Sequence, residues 1–239
     1  MTELLYSPSN EYQKEFKAQV IKSDEEASYI VLDRTLFYKE GGGQPPDHGK
    51  IKWGENEASV TDVQKNHGEI RHYIEGPIPE EGTEVNGVID WERRYKHMKM
   101  HTAQHIISKV VLEEYEASTA GNQIHEDRSR IDFEPADFDE DDIEKIERKS
   151  NQLIEEDLEL EKTERPRSEL EEETEDGRTN LDLIPSHIDP LRAVEIGQID
   201  ICPCGGTHVD STGEVGGIEI VERKSKGRDV ERLEFVLKG

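Results

Sequence analysis

Two histidines at i and i+4, His101 and His105, stand in HTAQH, and a cysteine and a histidine with the same spacing, Cys204 and His208, stand in CGGTH. On a helix the first pair lies one above the other, so both imidazoles can converge on one ion. In the second, Gly205 and Gly206 allow a tight turn that aims thiolate and imidazole at one point. Three imidazoles and a thiolate suit tetrahedral Zn²⁺, the expected cofactor. His97, one turn before His101, competes as a donor. So does Cys202, although Pro203 makes chelation by both thiols awkward, and a redox pair of Cys202 and Cys204 is a further reading. Thr102 occupies the position of the general-base Glu of H-E-x-x-H proteases, so that chemistry is excluded. Four protein donors describe a closed structural site as readily as a catalytic one.

Positioning these donors requires a helix under HTAQH and strands before CGGTH. From Tyr95 the run YKHMKMHTAQHIISKVVLEEYEAS sets Met98, Ala103, Ile106, Ile107, Val110 and Val111 at helical spacing. A second amphipathic helix is expected in DFDEDDIEKIERKSNQLIEEDLELE, with Ile143, Ile146, Leu153 and Ile154 inward and acids in its first turn. SRIDF, LRAVEIGQIDIC, GGIEIVERK and VERLEFVLK alternate as strands do. Upstream, FKAQVIKS, SYIVLDRTLF, GKIKWG, ASVTDVQK, EIRHYIEG and TEVNGVIDW are short, partly alternating segments between turn residues, the pattern of a small barrel. The expected fold class is α+β: an N-terminal small β-barrel over residues 1–92, then an α+β zinc-containing domain over residues 93–239. FYKEGGGQPPDHGK is a loop, and ELEEETEDGRTN is expected to be a solvated connection.

The 239 residues carry 56 acids against 30 Lys and Arg, a net charge of −26. Positions 137–176 hold half of that excess, with 19 acids against 6 bases. Acids decorate patterned segments throughout, which argues against disorder and against one acidic docking patch. The balance fits a halophilic protein, because at about 1 M salt the Debye length is about 3 Å and self-repulsion is screened. No apolar run is long enough to span a bilayer, and the N-terminus lacks a basic region followed by an apolar one. A cytoplasmic location without membrane contact is expected, as is a monomer.

FYKEGGGQPPDHGKI resembles FY-x-E-x-GGQ-x-x-D-x-G of the alanyl-tRNA synthetase editing domain and its free-standing relatives, the AlaX family. VIDWERRYKHMKMHTAQH is similar to its D-x-x-R-R stretch leading into HTAxH. IERKSNQLI resembles I-E-x-x-V-N-x-x-I with Ser150 in place of Val, and PCGGTHVDSTGEVGGIEI resembles PCGGTHV-x-x-T-x-E-I-G. The resemblance runs from about residue 35 to the C-terminus and is to the medium-length type, which edits in trans and charges no tRNA.

It implies hydrolysis of tRNA(Ala) mischarged with serine or glycine, with His101, His105, Cys204 and His208 as zinc ligands. The loop STAGNQIHEDRSRIDF is similar to the family's amino-acid pocket, which makes Thr119, Asn122, Gln123 and Arg130 the substrate-binding candidates. Backbone N–H groups around Gly205 and Gly206 could stabilise an oxyanion, although shaping the turn suffices to explain both glycines. For tRNA, the candidates are Gly42, Gly43 and Gln44 of the glycine motif, with Arg93 and Arg94 before the zinc helix and Lys224, Lys226 and Arg228 in an expected hairpin turn. The alternative reading is a tRNA-binding protein with a structural zinc and no catalysis.

Overall fold

A computed structural model of the protein describes residues 2–179 and 181–238; Met1, Asn180 and Gly239, the ends of the expected domains and the close of ELEEETEDGRTN, lie outside the described residues. The architecture is α+β, with a closed barrel among its elements. The chain divides into two compact units, residues 1–96 and 97–239.

The first unit contains β1 (Glu3–Leu4), β2 (Glu15–Asp24), β3 (Tyr29–Leu32), β4 (Arg34–Thr35), β5 (Gly49–Trp53), β6 (Asn56–Asn66), β7 (Glu69–Glu75) and β8 (Glu84–Ile89). Six of these close a barrel in the order β2-β3-β7-β6-β5-β8, and β1 pairs with β4 in parallel. Alternation decides the inside: Phe16, Ala18 and Val20 of β2 are buried while Lys17 and Gln19 face out. Gly87 is required there, since a Cβ would lie 2.2 Å from the Phe16 ring. His72 is buried too, with Nε2 2.9 Å from Thr35 Oγ1.

Asp47 and Arg94 tie the glycine loop to the barrel. The Arg94 guanidinium donates to both Asp47 oxygens, to Glu11 O at 2.9 Å and to Leu36 O at 2.7 Å, and Tyr38 N–H donates to Asp47 at 2.7 Å. Both charged side chains are fully buried, which is tolerable only because each is so fully hydrogen-bonded. Arg94 therefore cannot contact RNA, and the same correction applies to the buried Gln44. Gly42 and Gly43 sit exposed between the mutually hydrogen-bonded Gly41 and Gln44, at φ of 59° and 81°. Two consecutive positive φ values make a turn that favours glycine at both centres.

Helix α1 (Trp91–Tyr115) starts four residues earlier than its apolar spacing predicts, because Asp90 caps it: its carboxylate accepts from Arg93 N–H at 3.2 Å. Beyond it lie β9 (Ser118–Gln123), β10 (Ser129–Glu134), α2 (Glu140–Glu155), β11 (Leu160–Arg165), α3 (Arg167–Glu173), β12 (Leu191–Ile196), β13 (Asp200–Pro203), β14 (Ile218–Gly227) and β15 (Val230–Leu237). They form two antiparallel sheets, β14-β15-β10-β9 and β11-β12-β13. The second helix is shorter than expected, and its expected tail LELE enters β11. Asp139 and Asp142 close a capping box at its start.

On α2, Glu147 and Asn151 face the edge strand β14. Glu147 accepts from Ile220 N–H at 2.9 Å, and the Asn151 amide exchanges two bonds with the Ile218 backbone, at 2.8 and 2.9 Å. The connection expected to be solvated is partly helix, with Leu170 buried against Leu191 and Ala193. Among the described residues, no helix is long and apolar enough to cross a membrane.

Candidate metal centre

Residues 100–112 of α1 are buried without a break, and six of them are polar: His101, Thr102, Gln104, His105, Ser108 and Lys109. Buried polar groups need partners, and His101, Thr102 and His105 find them in and after β13, between Cys202 and His208. His101, His105, Cys204 and His208 form a group whose donor atoms all lie within 4.8 Å of one another. Cys204 Sγ is 3.6 Å from His101 Nε2 and 3.3 Å from His208 Nε2. With Zn–S near 2.3 Å and Zn–N near 2.0–2.1 Å, a tetrahedral site needs about 3.6 Å between sulfur and nitrogen. The donor set and spacing therefore fit a zinc ion. His97, buried one turn earlier, is outside the group.

The remaining imidazole nitrogens are already engaged. His208 Nδ1 lies 3.1 Å from Thr102 Oγ1, and His105 Nδ1 lies 3.3 Å from Cys202 Sγ. When Nδ1 holds the proton and donates it, Nε2 of each ring keeps its lone pair for an ion. Thr102 thus positions a histidine where a metalloprotease carries its base. Cys202 has a separate partner from Cys204, and both thiols are free of a disulfide. Burial pushes the Cys202 thiol far up, keeping it a thiol rather than a thiolate.

Arg192 shapes the turn. Its Nη1 donates to the carbonyls of Cys204 and Gly206, both at 2.8 Å, while Cys204 N–H returns a bond to Arg192 O at 3.0 Å. Gly206 N–H then lies 3.4 Å from Cys204 Sγ, so it serves the sulfur rather than an oxyanion. A second guanidinium, Arg178, is buried against Asp200 in a bidentate pair (2.8 and 2.6 Å) and reaches His105 O at 3.5 Å. Burial first, then Arg192 and Arg178, lower His101 to about 3. Burial, followed by neighbouring cationic groups, also holds His105 and His208 well below the usual histidine range. All three rings are neutral donors at neutral pH.

The four substrate-binding candidates are not brought together. The expected loop is a hairpin, in which Thr119 pairs with Phe133, Asn122 with Ile131 and Gln123 with Arg130. Cross-strand partners share a face, so Thr119 and Asn122 lie on the face of buried Ile131 and Phe133, with Gln123 and Arg130 on the other. Arg130 Nε donates to Gln123 Oε1 there, at 3.1 Å. On the inner face, the Thr119 hydroxyl donates to Ser108 Oγ at 2.8 Å, and Ser108 also accepts from Gln104 Nε2 at 2.8 Å. Ser108 follows His105 by three residues and His101 by seven, so it continues the histidine stripe.

The basic candidates differ in exposure. Arg93 is half-buried and donates to Pro46 O at 3.3 Å. Lys224 and Lys226 lie on β14 rather than in the turn, and Lys224 bridges Glu222 and Glu234 at 2.9 Å. Arg228 is in the turn and almost fully exposed. Thr102, Cys202, Arg178 and Arg192 carry roles that the residue pattern alone did not assign. Thr102 had a signal, a small hydroxyl residue between two candidate ligands in HTAQH.

Two family descriptions match: "tRNA synthetases class II (A)" over residues 9–93 and "Threonyl and Alanyl tRNA synthetase second additional domain" over residues 191–234. The chain is 40% identical over 243 residues to an alanyl-tRNA editing protein AlaX-M of Methanosarcina barkeri, covering 99% of both. It is 41% identical over 246 residues to AlaX-M of Methanosarcina acetivorans, again covering 99% of both. Against AlaX-L of Pyrococcus horikoshii it is 38% identical over 230 residues, 94% of this chain and 55% of that protein.

Proposed function

The chain belongs to the AlaX family of alanyl-tRNA editing proteins, and from that membership we propose that it is a trans-acting hydrolase that deacylates tRNA(Ala) mischarged with serine or glycine. The observation that carries the reading is the group His101, His105, Cys204 and His208, with a zinc-compatible donor set and spacing, inside a chain collinear with AlaX-M. These four residues would hold Zn²⁺. When bound, that ion supplies a Lewis acid for the ester carbonyl or for an attacking water.

Water adds to the carbonyl carbon, the bond to the ribose oxygen breaks, and that oxygen leaves as a hydroxyl with the water's proton. Thr102 and Arg192 hold the donors in place. Serine is favoured over alanine where a site hydrogen-bonds the extra hydroxyl, because an analogue lacking it leaves buried polar groups unpaired. The Thr119, Ser108 and Gln104 chain, with Asn122 on the same face, has the chemistry for this.

The test is deacylation of Ser-tRNA(Ala), Gly-tRNA(Ala) and Ala-tRNA(Ala) in high KCl by wild type and Cys204→Ala. Loss of serine with alanine retained, abolished in a folded Cys204→Ala variant, is the expected result. Tight tRNA binding by the zinc-loaded wild type without ester cleavage would instead mark a binding protein with a structural metal.

A further inference from the structure

The outer face of the barrel unit carries a line of side chains that the editing reading does not use. The register sets Lys17 of β2 opposite Asn86 of β8, and Asn86 opposite Lys52 of β5. Residues paired in this way share a face, so the three form one row across neighbouring strands about 5 Å apart. A concavity of about 660 Å³ opens on this row, with Gln19, Arg34 and Trp53 also in its lining. Trp53 follows Lys52 and so takes the core side of β5, where it packs on the barrel core; half-buried, it still contributes to the concavity wall.

The charges here are near balance, unlike those of the strongly acidic chain as a whole. Three cations meet two carboxylates, Asp33 and Glu84, in the lining, whereas acids outnumber bases 56 to 30 overall. Arg34 is neutralised by Asp33 at 3.1 Å, and Lys52 has Glu57 at 3.5 Å. Lys17 is exposed and has no ion pair among the described residues. Ammonium groups beside a partly open aromatic ring and an amide are what a nucleotide strand uses: phosphate on lysine, base on ring, base edge on amide. An acidic protein would engage the lysines but leave the ring unused.

We propose that this face of the barrel is an RNA contact, in which phosphates of the tRNA substrate meet Lys17 and Lys52 and a base stacks on Trp53. It rests on the reading that the substrate is an aminoacyl-tRNA, and it adds a contact on the unit that does not hold the metal-site donors.

The experiment measures affinity for fluorescently labelled tRNA(Ala) between low and high KCl, using wild type and the Lys17→Gln/Lys52→Gln variant. Both lysines are exposed, so melting should match wild type. The expected result is roughly tenfold weaker binding at low salt and a slope of log affinity against log salt that is smaller by about 1.4, or about 0.7 per lost phosphate contact. Serine release at saturating tRNA should be unchanged, with KM raised. In a Trp91→Phe variant, where Trp53 is the one tryptophan left, tRNA should quench the emission. Unchanged affinity and salt slope would overturn the proposal, as would displacement of tRNA by poly-glutamate at matched charge without any quenching. A wild type that shows the lysine dependence and the quenching but cleaves no ester would sink the editing reading and leave this surface standing.

Discussion

Thr102 Oγ1 lies 3.1 Å from His208 Nδ1, while Nε2 of the same ring lies 3.3 Å from Cys204 Sγ. One hydroxyl therefore holds the aim of a donor more than a hundred residues away in sequence. Thr102→Val keeps the shape and removes the acceptor, so metal affinity should fall about 10- to 100-fold. Thr102→Ser should stay near wild type. Competition with a chromophoric zinc chelator reads both.

Arg192 holds two carbonyls of the CGG turn at 2.8 Å each. Arg192→Met should release zinc to a chelator at least several-fold faster than wild type, at matched secondary structure. Arg192→Lys should restore only part of the difference, because an ammonium lacks the planar fork of guanidinium. Equal release rates in all three proteins would show that the turn holds itself.

Ser150 stands where the family pattern has Val, and its hydroxyl is buried without a hydrogen-bond partner among the described residues. An unsatisfied buried hydroxyl costs about 1–3 kcal/mol. Ser150→Val should stabilise the protein by about 1 kcal/mol after the helix cost of a β-branched residue, raising the melting temperature by about 2–4 °C. Calorimetry or a thermal melt decides it.

Burial lowers His72 in the barrel to about 4. The unfolded chain takes up this proton near pH 6.5 and the folded barrel only near pH 4, so between these values the unfolded state binds more protons. Stability is therefore full above pH 6.5 and is lost as the pH falls towards 4, by roughly 3 kcal/mol for this group. Urea unfolding at pH 7, 6 and 5 should show a steeper loss in wild type than in His72→Gln.

The barrel strands were legible because they are short, partly alternating segments between turn residues, regularly spaced; YIVL of β3, buried at all four positions, is the exception to the alternation. The hairpin strand Ser118–Gln123 was not. STAGNQ has no apolar alternation, and only pairing with Ser129–Glu134 makes it a strand, which also separates Thr119 from Arg130. The metal donors stood out as rare residue types at chelating intervals. Arg94 misled for the opposite reason: a cation in a basic run looks solvent-facing until its partner, Asp47, is found 47 positions upstream. Arg178 hid in an acidic stretch whose composition says loop, and its burial depends on Asp200.

On α2, Glu147 and Asn151 already occupy the outward amides of Ile218 and Ile220. The first half of β14 consequently offers an incoming strand too few donors to extend the sheet. The second half remains, and it carries the charged run Glu222, Arg223, Lys224 and Lys226, with Arg223 and Lys224 already held in ion pairs. Charged side chains along an edge disfavour its pairing with another strand. Edge-to-edge polymerisation through β14 is thus opposed twice, by occupied hydrogen bonds at one end and by the charged side chains that a second strand would have to crowd at the other.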